Sequence, residues 1–498
     1  MPCCLVGSEM CIRDSKYPLF TFLLLSIIGA SSFLAFSPFN FKLIIVLTHA
    51  LLLFSVMSSS SILGAFKRSI AWGTGYWLGG SGWLIVSIYY YGNTNIYAAL
   101  LIIIFMAILL SVVFIGPICL VYLVGRSNNY LIYSLLCAGV LTVVELLRFI
   151  LLGGFPWLLP GLVFIDTIGQ DLIPLIGIYG CSFIIYFIAL LLLSSVQKKS
   201  YKQAFIGLCF LIAFYPHPGY KNSLSGEGVN IAIIQPSLDP FKKYKDNYKS
   251  TIESALINLS NTAGDVDLLI WPESPFPYLN SSQQMTKFIE RTNSLPTILS
   301  GGWKYDNGNL QNVMSVVGQE QTYAKQHLVI FGEYIPFEPL LRGLIEFFDM
   351  PMSKINSGDS NQELFSISGY QVLGLICFDI AFPLSYINQS KKADFIVNIS
   401  NDTWFGSSYG PYQHLQIVRA RALEFNKWIA RGTSDGISTI VDNKGTIVSK
   451  IDKGKQGILE GKIYSVDKES YFLMYGYLIA PILSIILSLL AFVLRLRE

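Results

Sequence analysis

Two apolar tracts bracket a polar one in this chain, and that division constrains its folding more than any other feature. Residues 17–215 and 472–494 carry long apolar runs, whereas residues 222–470 have an ordinary globular composition. A helix needs about 20 predominantly apolar residues to cross the hydrocarbon core of a bilayer. Runs near 18–37, 41–62, 69–91, 97–124, 130–151, 172–196, 201–215 and 472–494 therefore predict eight spans, the seventh short. With 52% hydrophobic and 13% charged residues, the chain is too apolar for one soluble fold. The expected architecture is a polytopic α-helical membrane domain over 17–221 with seven spans. A polar domain over 222–470 follows, then a final membrane helix and tail over 471–498. The opening MPCCLVGSEMCIRDS lacks the charged start and apolar core of a signal peptide. Residues 1–16 are read as a non-native or disordered leader.

Orientation follows from the lysines and arginines. Lys67 and Arg68, Arg126, Lys198 with Lys199 and Lys202, and Arg495 with Arg497 fall in alternate loops, which are assigned to the cytoplasm. The opposite loops hold Lys42, plus Arg148 near the end of the fifth span. Both termini then face the cytoplasm and the polar domain faces outward. In a bacterium this is a multi-pass inner-membrane protein with its polar domain in the periplasm, an oxidising space. A net charge of +3 without a basic, aromatic-studded patch gives no reason to expect a nucleic-acid partner.

Within the polar domain, 229–235, 266–274, 296–303, 370–379, 393–400 and 438–445 read as strands, and 241–263 and 411–427 as helices. The first, second, fourth and fifth strands are nearly continuous apolar runs, as in strands covered on both faces. The pattern predicts an α/β sandwich with its ligands at the strand ends.

Of eight cysteines, three lie in the first eleven residues and four (Cys119, Cys137, Cys181, Cys209) in apolar stretches. Cys377, in GLICFDIAFP, is alone in the polar half. Glu273 stands in LLIWPESPFP and Lys325 beside the apolar run HLVIFGEYIPF, which holds a second carboxylate, Glu333. Taken singly, these are a packed thiol, a solvated carboxylate and a snorkelling lysine. Together, a thiol, a carboxylate and an amine point to covalent acyl chemistry. The four histidines are scattered, so no metal site or cofactor is expected.

The spacing of 52 residues from Glu273 to Lys325 and 52 from Lys325 to Cys377 resembles the glutamate–lysine–cysteine triad of the nitrilase, or carbon–nitrogen hydrolase, superfamily. NISNDTWFG (398–406) and GPYQHLQIVRARALEFNKWIARGTSDG (410–436) look like that family's stretch after the nucleophile. An α-β-β-α sandwich is implied. Seven amino-terminal spans, one carboxy-terminal span, LAFSPF (34–39), GGFPW (153–157) and FGEYIPFEPLLR (331–342) resemble the membrane-embedded apolipoprotein N-acyltransferase branch.

The resemblance implies Glu273 as general base, Lys325 as stabiliser of thiolate and oxyanion, Cys377 as nucleophile and Glu333 as a supporting carboxylate. Tyr244, Phe378, Asp379, Trp404 and Trp157 become candidate substrate-binding residues. It implies ping-pong transfer of the sn-1 acyl chain of phosphatidylethanolamine, through a Cys377 thioester, to a diacylglyceryl-cysteine apolipoprotein, the last step of lipoprotein maturation. Partners are thus a phospholipid donor, that lipoprotein acceptor and the bilayer. Three positions depart from the family pattern: Phe378-Asp379 follow the nucleophile where an aromatic and Glu are usual, Tyr244 aligns with a common Trp, and Thr433-Ser434 replaces Thr-Asn.

Apolar residues of 343–356 (Leu344, Ile345, Phe347, Phe348, Met350, Met352) are read as a lid or as core. Glu145 and Arg148, three apart, are read as a structural pair. Trp157 doubles as an interface anchor. The rival functions are a membrane-tethered amidase, a transporter or scaffold with an inactive domain, and a Cys–His protease using His327 or His414.

Overall fold

The computed structural model describes residues 18–92, 94–124, 130–219, 227–239, 242–306, 308–330, 332–334 and 355–496. The leader over 1–16, the six apolar residues of the lid segment, Arg126 and Arg497 lie outside the described residues.

Among the described residues, four helices are long and apolar enough to cross a membrane: Ile96–Leu123, Tyr130–Gly153, Ile168–Gln197 and Phe472–Arg495. Leu19–Ala35, Ile44–Met57 and Tyr201–Phe214 are apolar but shorter. The expected third span, 69–91, is displaced. Its helix runs Ile62–Ser81, because the Ser61 hydroxyl caps it by accepting from the Gly64 N–H at 3.1 Å. Lys67 and Arg68 therefore lie on this helix and not in a loop, and buried Arg68 donates to the Ser55 carbonyl at 2.6 Å. That helix also crosses Pro18–Ser31 backbone to backbone: a Cβ on Gly75 would stand 1.7 Å from the Ser26 carbonyl oxygen. Small residues permit such approach where lipid supplies no hydrophobic drive.

Glu145 and Arg148 are both buried, and each has its own direct contacts. The Tyr186 hydroxyl donates to Glu145, while the Arg148 guanidinium lies over the rings of Tyr76 (5.8 Å) and Trp77 (5.3 Å).

The polar half is built on two facing sheets. The first is ordered β12 (Gly457–Ile463), β1 (Val229–Gln235), β2 (Leu268–Ile270), β3 (Thr297–Asp306), β4 (Asn309–Val316), β5 (Thr322–Ala324). The second is β11 (Ile447–Ile451), β10 (Ser438–Val441), β9 (Ile429–Thr433), β8 (Phe395–Ser400), β7 (Tyr370–Ile376), β6 (Phe365–Ile367). Strand pairs β1–β2, β2–β3, β7–β8 and β8–β9 are parallel.

The continuous apolar strands are explained by burial on both faces. In β1 and β2, Ile231, Ile233, Leu268 and Ile270 join the core between the sheets. Ala232, Ile234, Leu269 and Trp271 pack with Ile252, Leu256 and Phe288 of the covering helices Lys249–Ser260 and Gln283–Glu290. Each such fully buried aliphatic side chain contributes about 1.5–3 kcal/mol.

The helix Gly410–Phe425 joins the halves. Gln413 accepts from the indoles of Trp83 and Trp157, and Gln416 links Ser37 to Leu162. Arg419 pairs with Asp166, and Glu424 accepts from the Ile178 N–H at 2.7 Å.

Candidate active site

Three charged or nucleophilic side chains stand just past strand ends. Glu273 follows β2, Lys325 follows β5 and Cys377 follows β7. Gly301 lets the first of these turns press onto β3: a Cβ there would stand 2.4 Å from the Ser274 nitrogen.

Lys325 is the hub. Its ammonium donates to Glu333 Oε1 at 2.7 Å and lies 3.3 Å from Glu273 Oε1, all three side chains being buried. Glu273 also accepts from Asn312 Nδ2 at 2.7 Å and from the Asn401 N–H at 2.8 Å. Glu333 takes the Val329 N–H at 2.9 Å.

Burial alone would discharge Lys325, but Glu273 and Glu333, with Cys377, hold its ammonium well above the ordinary lysine value. Burial pushes the Glu333 carboxyl up, against the pull of Lys325. Cys377 remains partly exposed, yet burial raises its thiol well above the usual value and Glu273 adds to the rise, while Lys325 opposes both. The Cys377 side chain therefore rests as a thiol.

Cys377 has φ +49°, in the left-handed region, at a cost of about 1–3 kcal/mol. Asp379 braces this turn. It accepts from the Ile376 N–H at 3.2 Å, the His327 N–H at 2.7 Å and the Tyr323 hydroxyl at 2.8 Å. Burial raises its carboxyl to about 6, against Lys325 and these donors. An unfolded Asp titrates near 4. Between about pH 4 and 6 the unfolded chain therefore ionises here first, and stability falls as pH rises, by about 3 kcal/mol in all. Melting temperatures across that window should fall less in Asp379→Ala than in the parent. Identical slopes would mean a carboxylate already ionised at pH 4.

The remaining candidates separate. Phe378 is buried against Phe155, Trp157 and Phe382, at ring separations of 6.0, 6.3 and 5.1 Å. Trp157 is no surface anchor: it is buried, and its indole donates to Gln413 at 2.8 Å. Gly153 and Gly154 let its loop approach closely, since a Cβ on either would stand 2.4 Å from the Tyr334 hydroxyl or 2.5 Å from the Phe382 ring. Trp404 lies on the turn Asp402–Phe405, where its carbonyl accepts from Ser87 at 2.7 Å. Tyr244 is 55% exposed, under the Lys243 ammonium.

Other residues are brought here from distant positions. Lys243, lowered to about 8 by burial, donates to the Ser274 carbonyl and lines a cavity of about 40 Å³ with Ser274, Asn401, Thr403 and Ser434. Thr433 donates to Gln235 at 3.0 Å. His327 stacks on Phe382 and bonds Ser385. Cys377, Asp402 and His414 offer donor atoms within 4.8 Å of one another. The Asp402 and His414 atoms are already engaged by Ser400, Arg431 and the Cys377 carbonyl, which makes this a hydrogen-bond network.

Comparison with known proteins covers both halves. Residues 28–191 match the apolipoprotein N-acyltransferase N-terminal domain, and residues 230–471 match the carbon-nitrogen hydrolase family. The apolipoprotein N-acyltransferase of Pseudomonas aeruginosa is 32% identical over 90% of each chain, and that of Pasteurella multocida 29% identical over 96% of each. Among solved structures, Saccharomyces cerevisiae Nit3 of the nitrilase superfamily superposes with TM-score 0.38 at 15% identity, over 48% of this chain and 90% of its own.

Proposed function

The chain belongs to the apolipoprotein N-acyltransferase family, and we propose that it moves a fatty acyl chain from phosphatidylethanolamine, at sn-1, to the α-amine of a diacylglyceryl-cysteine lipoprotein. Glu273 takes the Cys377 proton as the sulfur attacks the ester carbonyl. A C–S bond forms, and the carbonyl electrons move to oxygen as an oxyanion. Collapse expels the lysophospholipid alkoxide, which takes the proton back from Glu273 and leaves a thioester. The lipoprotein amine then attacks that thioester, loses a proton to Glu273 and expels the thiolate, which recovers the proton. Lys325 holds the charge of Glu273 and of each oxyanion. Thioester to amide is downhill, so no energy source is needed. Glu333 keeps the ammonium in place.

The observation that carries this reading is the buried Lys325 bridging two carboxylates beside a strained, partly exposed cysteine. The aromatic wall of Phe378, Phe155 and Trp157 next to it is suited to an acyl chain. The apolar helices support a bilayer setting, here taken as eight spans of the inner membrane with 17–221 and 471–498 in the bilayer and 222–470 in the periplasm.

The test is intact mass of the detergent-purified protein after incubation with phosphatidylethanolamine. A gain of one acyl chain, removed by hydroxylamine and prevented by prior alkylation with iodoacetamide, is expected. Chase with a diacylated lipopeptide should transfer it. An active, well-folded protein with no acyl adduct would sink the thioester route.

A further inference from the structure

Beneath Cys377 lies a group that this double displacement does not use. His414, Asp402 and Arg431 are buried together, and His414 Nε2 stands 3.2 Å from the Cys377 carbonyl oxygen. The Cys377 carbonyl has only lone pairs to offer, so His414 Nε2 carries a hydrogen and donates to it. His414 Nδ1 lies 3.0 Å from Arg431. Asp402 accepts from Arg431 at 2.7 Å and from Ser400 at 2.7 Å, and its Oδ1 lies 3.2 Å from Nδ1. Burial, together with Arg431, lowers His414 and keeps the imidazole neutral. Asn398 Nδ2 approaches the same carbonyl at 3.5 Å.

The consequence runs through one peptide plane. The Cys377–Phe378 bond is trans, so the Phe378 N–H points opposite to the Cys377 carbonyl. Anchoring the carbonyl on His414 therefore fixes the direction of that N–H, at a residue whose left-handed φ would otherwise relax. We propose that His414, held by Asp402 and Arg431, is a positioning residue that aims the Phe378 N–H at the oxyanion formed on the attacked carbonyl. The proposal rests on the thioester reading above.

His414→Ala and His414→Gln in the full-length protein test it, with three rates measured. These are thioester formation from phosphatidylethanolamine, transfer to a diacylated lipopeptide, and alkylation of Cys377 by iodoacetamide. Both acyl steps pass through an oxyanion on the same carbonyl, whereas alkylation is displacement at saturated carbon and forms none. In His414→Ala both acyl steps should slow by a similar factor, about 10- to 100-fold, with alkylation within about twofold of the parent. His414→Gln, which keeps an N–H donor, should recover most of the loss. Alkylation falling in step with acylation would overturn the proposal, because His414 would then act on the thiol or the fold. Unchanged acyl steps would overturn it too. A parent protein that alkylates normally but never forms an acyl adduct would mark failure of the thioester reading itself.

Discussion

Lys325→Met should cost at least about 10³-fold in acyl transfer and lower the melting temperature sharply at neutral pH. The methionine matches the lysine stem in length, so packing is nearly kept and charge is what changes. The ammonium is buried between Glu273 at 3.3 Å and Glu333 at 2.7 Å. Removing it leaves two carboxylates facing each other without water, and stranding buried charge in this way costs about 3–5 kcal/mol. The pair relieves the cost by keeping a proton, which raises a carboxyl above its unfolded value. A raised carboxyl gives stability that is lost as pH rises, so the variant should be firmest near pH 5 and weaken towards pH 8. Lys325→Met/Glu333→Gln should regain much of that stability and none of the activity. A Lys325→Met protein melting like the parent at pH 8 would show that the three groups do not form one charge cluster.

Glu273→Gln separates base chemistry from binding. The amide oxygen can still accept from Asn312 on the Oε1 side, while the amide NH2 replaces the oxygen that took the Asn401 N–H, so the turn past β2 loses one hydrogen bond and keeps its size and the other contact. What disappears is the acceptor for the thiol proton. Thioester formation at pH 7 should fall about 10²- to 10⁴-fold, the usual range for a positioned general base. Iodoacetamide should also react more slowly, because burial keeps Cys377 protonated. The loss should shrink as pH rises, since hydroxide can take the proton that Glu273 no longer accepts. Parent-like acylation at pH 7 would place the base elsewhere.

Long, strongly apolar features were legible in the sequence. VNIAIIQ forms β1 over Val229–Gln235 with the expected bounds, and 411–427 forms the helix Gly410–Phe425. The proximity of Glu273, Lys325 and Glu333 followed from residue types and a family resemblance. Shorter elements were missed for physical reasons. The 266–274 run is strand only over Leu268–Ile270, with Pro272 ending its backbone donors. Strands β6 and β11 are edge strands with polar or half-exposed alternate positions, too weakly patterned to stand out. The third span was misplaced because Ser61 starts a helix seven residues before the apolar run does. Lys243 was invisible as a site neighbour, since nothing local marks a contact made across 31 residues, and His414 was read only as a candidate of the rival Cys–His protease, not as a partner of the Cys377 carbonyl.

The bridging helix has a consequence for how the protein is made. Gln413, Gln416, Arg419 and Glu424 direct their polar groups at the amino-terminal helices, which leave the ribosome first. The platform is therefore synthesised before the polar half is translated, and the polar half completes its helix on a surface already made. The last helix, packed where Gly139 meets Leu487, closes behind it. Synthesised without that platform, residues 222–470 would carry a row of homeless polar side chains on an otherwise finished sandwich. Inheritance should accordingly keep the two halves as one gene product, and detached versions of the polar half should precipitate when expressed alone.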